Sequence, residues 1–175
     1  REFAKNHVAL RPYTEIENAV GKLSGRKKML IDPERLSYAL YKLIPDETEM
    51  IEKENPEIIM KSVKNDIETE HIRRAHLKDA AAHTKFIYWL KENIGKTEIT
   101  ERSASARLEE FRKEQDGYLG PSFEPISAYY EHGAIVHYSA SKESDARLEK
   151  GHFLLTDTGG HYKDGSTDIT RTVAL

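Results

Sequence analysis

Apolar positions in the first third of the chain change period several times. Ile16, Val20 and Leu23 follow helical spacing and predict a short helix over 14–23, ended by Ser24-Gly25. Lys28-Met29-Leu30-Ile31 predicts a strand. Asp32 then serves as a cap and Pro33 as a first helical residue, opening a helix with Leu36, Leu40 and Leu43/Ile44 on one face until Pro45. Helix, strand, helix within fifty residues predicts the end of an α/β domain. Residues 46–55 are acidic and poor in packing side chains, and Asn55-Pro56 offers a cap with a preset first φ, so a domain boundary is expected at about 55.

Beyond it, Ile67, Ile72, Ala75, Ala82, Phe86 and Trp89/Leu90 recur every three to five residues, predicting a long amphipathic helix over 66–95. Thr97 or Thr100 opens another, with Ala104, Leu108 and Phe111 on one side and Asp116-Gly117 as its stop. From there the pattern shortens into β-branched and aromatic runs at 122–126, 134–139, 153–157 and 166–174. Asp164-Gly165 is a hairpin signal between the last two runs, which should be antiparallel neighbours. Two long helices followed by antiparallel strands make 56–175 an α+β unit.

Composition narrows the chemistry. The 175 residues carry 27 Lys+Arg and 30 Asp+Glu, a net charge of −3, which lacks the basic excess that phosphate neutralisation requires, so nucleic acid is not the expected partner. No apolar run approaches the roughly 20 residues of a bilayer span, and the mean hydropathy is −0.70. There is no cysteine, so thiol catalysis and thiolate zinc sites are excluded and any metal must take O or N ligands. That lack, and a start at Arg1-Glu2-Phe3-Ala4-Lys5 with neither apolar leader nor Met, set the expectation of a cytoplasmic, truncated chain.

The candidate chemistry gathers near the end of the chain. Asp157 closes an apolar run and Asp168 interrupts the next, both at positions where strands disfavour Asp. Two carboxylates on adjacent strands repel unless they are protonated, paired or bridged by a cation. With Asp164-Gly165 as the turn, Asp168 would face His161, and Asp157 would lie four residues farther along the same face. That is too far for joint ligation unless a bulge at Gly159-Gly160 shortens the path. The alternative makes Asp157 and Asp164 turn residues and pairs Asp168 with Arg171 or a lysine. His137, amid strand-forming residues, reads either as a site residue or as a histidine bonded to a backbone carbonyl. His76 and His83 are two helical turns apart and cannot share a metal. The charged stretches 61–70 and 107–114 read as solvated helix faces.

Ser122-Phe123-Glu124-Pro125-Ile126, His132-Gly133-Ala134-Ile135-Val136-His137-Tyr138, Asp157-Thr158-Gly159 and Asp164-Gly165-Ser166-Thr167-Asp168-Ile169-Thr170-Arg171-Thr172, in that order, resemble the aminopeptidase P (Xaa-Pro aminopeptidase) branch of the pita-bread metallopeptidases. Lys61-Ser62-Val63-Lys64-Asn65-Asp66 with Glu68, Arg74 and Ala75 is similar to that family's first catalytic-domain helix. Residues 1–55 are similar to the end of its creatinase-like amino-terminal domain, which leaves 56–175 as the first half of a pita-bread catalytic domain.

The resemblance implies a metal-dependent aminopeptidase that releases the first residue of peptides with proline second. Its two divalent ions, most often Mn(II), are held by two Asp, one His and two Glu. Asp157 maps onto a ligand of one ion, Asp168 onto the ligand bridging both, and His137 onto a residue that contacts substrate or stabilises the tetrahedral intermediate. The remaining His and two Glu belong to the second half of the catalytic domain and are absent from the 175 residues, so the isolated chain is expected to be inactive. A proline-containing peptide and a second copy of the chain are the implied partners. Two alternatives stand beside this reading: a prolidase acting on Xaa-Pro dipeptides, and a non-catalytic pita-bread binding protein, against which the paired Asp157 and Asp168 argue.

Overall fold

The structure is a computed structural model that describes residues 8–23 and 28–175. The leader reading at Arg1 to Lys5 and the helix stop at Ser24-Gly25 lie outside the described residues. Contacts divide the chain into two compact units, Arg1–Lys64 and Asn65–Leu175. The division follows a helix that the sequence reading, with its boundary near 55, assigned to the second unit.

In the first unit a 3₁₀ turn leads into α1 (Ile16–Gly21), followed by β1 (Lys28–Ile31), α2 (Tyr38–Tyr41), β2 (Glu49–Glu52) and α3 (Pro56–Ser62). β1 and β2 are parallel, with Lys28 opposite Glu49 and Ile31 opposite Glu52. β2 was hidden by its acidic ends. The expected long helix after β1 is a single turn, because the Asp32 carboxylate accepts from Glu34 N at 3.1 Å and from Asn55 N at 2.9 Å, building a turn, and Ser37 caps the helix instead. Asn55 does cap α3, accepting from Glu57 N at 3.0 Å with Pro56 in the first turn.

The second unit opens with α4 (Asp66–Asn93), 28 residues long. Asn65 and Glu68 form a reciprocal capping box at its start, and Gly95, at φ 74°, follows its end. α5 (Glu101–Lys113) has the same device in Thr100 and Ser103. The two helices bury Ala82, Phe86 and Leu90 against Ala104, Leu108 and Phe111, and Leu154 and Val173 of the sheet complete this core. Each large apolar side chain so buried contributes about 1.5–3 kcal/mol.

Six strands follow: β3 (Tyr118–Pro121), β4 (Ile126–Tyr129), β5 (Phe153–Thr158), β6 (Gly160–Tyr162), β7 (Gly165–Ser166) and β8 (Ile169–Ala174). They form two antiparallel sheets, ordered β3-β6-β7 and β4-β5-β8. Three expectations are corrected. The run at 122–126 is a bend over 122–125 that joins β3 to β4, where the Ser122 N–H donates to the Gly159 carbonyl at 3.2 Å and its hydroxyl to the Thr167 carbonyl at 2.8 Å. The run at 134–139 is no strand, since the chain enters a 3₁₀ turn at Tyr130–Ala134 and then reverses with His137 at φ 54°. The run at 166–174 is broken between β7 and β8, because the chain leaves one sheet and joins the other.

Candidate functional site

β5 has two distinct faces. Leu154, Thr156 and Thr158 are buried toward α4 and α5, whereas Phe153, Leu155 and Asp157 lie on the opposite face. On that opposite face Asp157 stands between Ile126 of β4 and Thr170 of β8. Thr170 Oγ1 donates to Asp157 Oδ1 at 2.8 Å.

The structure changes the register read from sequence. The hairpin turn is Lys163-Asp164, not Asp164-Gly165: Tyr162 pairs with Gly165, and His161 pairs with Ser166. Asp164 is drawn away from the site to an ion pair with Lys78, which lowers its carboxyl pKa. Asp168 therefore does not face His161, whose Nδ1 lies 2.7 Å from Ser166 Oγ. Asp168 sits one residue ahead of β8, whose ladder with β5 places Thr158 opposite Ile169 and Asp157 opposite Thr170. Two residues before Thr170, Asp168 falls on the face of Asp157 by continuation of that register, and diagonal neighbours in an ideal ladder stand roughly 7–8 Å apart. The four-residue gap expected from the hairpin disappears because Asp168 leads into the β8 strand that pairs with β5, outside the β6–β7 ladder.

Gly159 makes this crossing possible. A β-carbon there would collide with Thr167 O and Ser122 Oγ, so only glycine lets the chain pass from β5 to β6 against the segment that joins β7 to β8. The expected irregularity at Gly159-Gly160 is thus present as a sheet crossing.

His137 is exposed in the turn, and its positive φ is a region that non-glycine residues enter rarely and at a cost. The 3₁₀ turn before it packs on β4 and β5, and a β-carbon at Gly133 would stand 4.0 Å from Leu155 Cβ. Leu155 shares its face with Asp157, so the turn bearing His137 is anchored on the same side of the sheet as both carboxylates.

Sequence reasoning missed the polar groups underneath. Glu101, wholly buried, accepts from Tyr129 N at 2.7 Å, Tyr138 Oη at 2.8 Å and Ala146 N at 3.1 Å, and lies 2.8 Å from His132 Nδ1. Asp79 and Arg112, also buried, pair at 2.6 Å. Arg112 thereby corrects the reading of 107–114 as a solvated face. Burial, reinforced by the Arg112 charge, depresses the His83 pKa to about 4. A signal existed: Asp79 falls between Ala75 and Ala82 on the apolar stripe of α4, and Glu101 precedes Ala104 on that of α5.

The donor set suits a hard divalent cation in its chemistry. Among the described residues Asp157 and Asp168 have no ion-pair partner; Arg171 instead donates to the Thr170 carbonyl at 2.7 Å. Asp157 is a strand residue, not a turn residue. Among the described residues no three His, Asp or Glu side chains cluster as a metal cage.

The fold has counterparts among known proteins. The chain belongs to metallopeptidase family M24, whose model matches residues 70–175; the creatinase/prolidase N-terminal domain matches residues 1–68. Over 167 residues it is 40% identical to the Xaa-Pro aminopeptidase 2 of Sus scrofa, covering 95% of this chain and 25% of that protein. The X-prolyl aminopeptidase of Caenorhabditis elegans, a cytosolic enzyme with a di-nuclear active site, superposes with a TM-score of 0.88 at 31% identity, over 98% of this chain and 29% of that one. The Xaa-Pro dipeptidase of Bacillus anthracis superposes at 0.73 with 26% identity, over 91% of this chain and 44% of that one. The chain spans about a quarter of the length of the curated relatives it matches. Its fold is that of the amino-terminal and M24 domains of these enzymes, and among the described residues no helix is long and apolar enough to cross a membrane.

Proposed function

We propose that this chain is part of an Xaa-Pro aminopeptidase, a hydrolase that releases the first residue of peptides carrying proline second. The observation that supports the reading is the β5–β8 register: it sets Thr170 opposite Asp157, and Asp168 lies two residues before Thr170, while the 3₁₀ turn preceding His137 packs on β4 and β5. Two divalent ions, manganese in this reading, supply a hydroxide at neutral pH and polarise the scissile carbonyl when bound. Asp157 and Asp168 would be this chain's ligands to those ions, Asp157 to one and Asp168 to both. The exposed His137 ring meets the substrate and donates a hydrogen bond to the oxyanion of the tetrahedral intermediate.

Two Asp leave most coordination positions unfilled, so the remaining His and two Glu come from the rest of a longer protein, and the 175 residues alone do not hydrolyse peptides. The site works in a cytoplasmic homodimer on a proline-containing peptide, with neither nucleic acid nor membrane as partner. The test is Mn(II)-dependent hydrolysis of an Xaa-Pro-Yaa peptide by the full-length protein and by the 175 residues alone. Turnover is expected only in the former, and turnover by the short chain would overturn the assignment of missing ligands. The likeness to the Xaa-Pro dipeptidase favours a second reading, prolidase. Turnover of an Xaa-Pro dipeptide with none of the tripeptide would select it.

A further inference from the structure

We propose that the buried Asp79–Arg112 pair is a positioning device: it grips Thr158 and Thr167, the residues beside Asp157 and Asp168, and thereby fixes the separation of the two carboxylates for metal ligation. This rests on the metal reading above. Arg112 Nε donates to Asp79 Oδ1 at 2.6 Å and Nη2 to Oδ2 at 3.3 Å; the same Nη2 donates to Thr158 Oγ1 at 2.9 Å. On the other side the Thr167 hydroxyl donates to Asp79 Oδ2, and that hydroxyl in turn accepts from Gly160 N at 2.9 Å. Tyr162 Oη, 3.4 Å from Asp79 Oδ1, completes the set around the carboxylate, and burial together with Asp79 raises its pKa. Asp79, Arg112, Thr158 and Thr167 are each at most 2% exposed.

Alternation along the chain converts this grip into placement. Thr158 points into the helix side of β5, so Asp157 must point out of the opposite face. Thr167 lies between β7 and β8 and belongs to neither strand. Its own N–H bonds to the Gly160 carbonyl at 2.9 Å, its carbonyl accepts from Ser122 Oγ at 2.8 Å, and its hydroxyl reaches Asp79. Asp168 is thus held by its neighbour rather than by a ladder bond. One ion pair on two helices therefore ties together the two chain segments that carry the carboxylates. A buried ion pair is weak evidence for stability, because desolvation offsets its attraction, and the role we assign to this one is fixing relative position. Groups that orient metal ligands from behind typically change metal affinity about 10–100-fold when removed.

The test is Mn(II) titration of the full-length protein, with thermal unfolding of the metal-free protein measured alongside. Thr158→Val and Thr167→Val remove the two hydroxyls at nearly constant volume and are expected to weaken Mn(II) binding at least about tenfold. Thr158→Ser and Thr167→Ser, which keep the hydroxyl, should bind Mn(II) as the unaltered protein does. Unchanged affinity in the valine variants, or serine variants as weak as the valine ones, overturns the inference. Should Thr167→Val fail to fold, Thr158→Val decides alone, since Asp79 retains Arg112 in that variant. Asp157→Asn separates the two ideas: if it abolishes binding while Thr158→Val does not, only the positioning role falls, and if it leaves binding intact the metal reading falls with it.

Discussion

The Tyr138 hydroxyl donates to Glu101 Oε2 at 2.8 Å, tying the residue after His137 to the first turn of α5. Glu101 also receives the Tyr129 and Ala146 N–H groups, so one buried carboxylate closes both ends of the loop that carries His137. Glu101→Gln places an amide against donors that need an acceptor and is expected to cost about 1–3 kcal/mol. Tyr138→Phe removes a donor and leaves the others served, so its cost should be nearer 1 kcal/mol. Urea unfolding of both variants checks the order, and a larger loss in Tyr138→Phe would refute the role given to Glu101.

His83 makes the fold acid-sensitive. Its pKa falls from 6.5 to about 4 in the folded chain, because burial and the Arg112 charge disfavour the imidazolium. The unfolded chain then binds more protons than the folded one between those two values, so stability is complete above about pH 6.5 and is lost as pH falls toward 4, by roughly 3 kcal/mol at most. Urea midpoints from pH 7 to 4 should show this slope, and His83→Gln should flatten it. Identical slopes in the two proteins would remove His83 as the cause.

What the sequence made legible follows from the range of each interaction. The helices over 66–95 and 100–113 rest on local caps and one-sided apolar stripes, and Thr100 and Gly95 stand where the pattern put a start and a stop. Asp157, Asp168 and His137 stood out as motifs. Their geometry was not legible, because the Lys163-Asp164 turn follows from the register of β6 with β7, and the transfer of the chain from β7 to β8 from the pairing of β8 with the distant β5, which no local pattern encodes. His137 was expected in a strand on β-propensity. Ile135, Val136 and His137 are exposed instead, since Glu101, remote in sequence, holds Tyr138. β2 failed for a related reason, as its pairing with β1 outweighs its acidic composition.

Glycine at 159 is required for space. Its absent β-carbon would overlap Thr167 O and Ser122 Oγ and stand 2.9 Å from Thr167 C, and these are backbone or hydrogen-bonded atoms that cannot yield. At Gly165 the same carbon would meet Ile72 and Ala75 at 3.7–3.8 Å, ordinary contact. Gly159→Ala should therefore cost at least about 3 kcal/mol or prevent folding, whereas Gly165→Ala should change stability by less than about 1 kcal/mol. Thermal unfolding of the two variants measures the difference, and equal tolerance would contradict the close crossing of the chain at Gly159.

Asp168 and Asp164 lie four residues apart and should respond in opposite ways to the same change. Asp164 is the turn residue paired with Lys78, so Asp164→Asn gives up that attraction and lowers the thermal midpoint slightly, with hydrolysis by the full-length protein kept within about twofold. Asp168 has no ion-pair partner among the described residues and shares a face with Asp157, so in the metal-free protein Asp168→Asn removes a like-charge repulsion and leaves stability unchanged or a few tenths of a kcal/mol higher. The repulsion has a use only if a cation relieves it, and an amide oxygen is a far weaker ligand than a carboxylate. Hydrolysis by Asp168→Asn should then fall more than about 100-fold, beyond the loss typical of groups that merely support a ligand. A variant that is no less stable yet nearly inactive is the signature of a ligand held against its own electrostatic preference. Equal activity losses in Asp168→Asn and Asp164→Asn would refute the assignment.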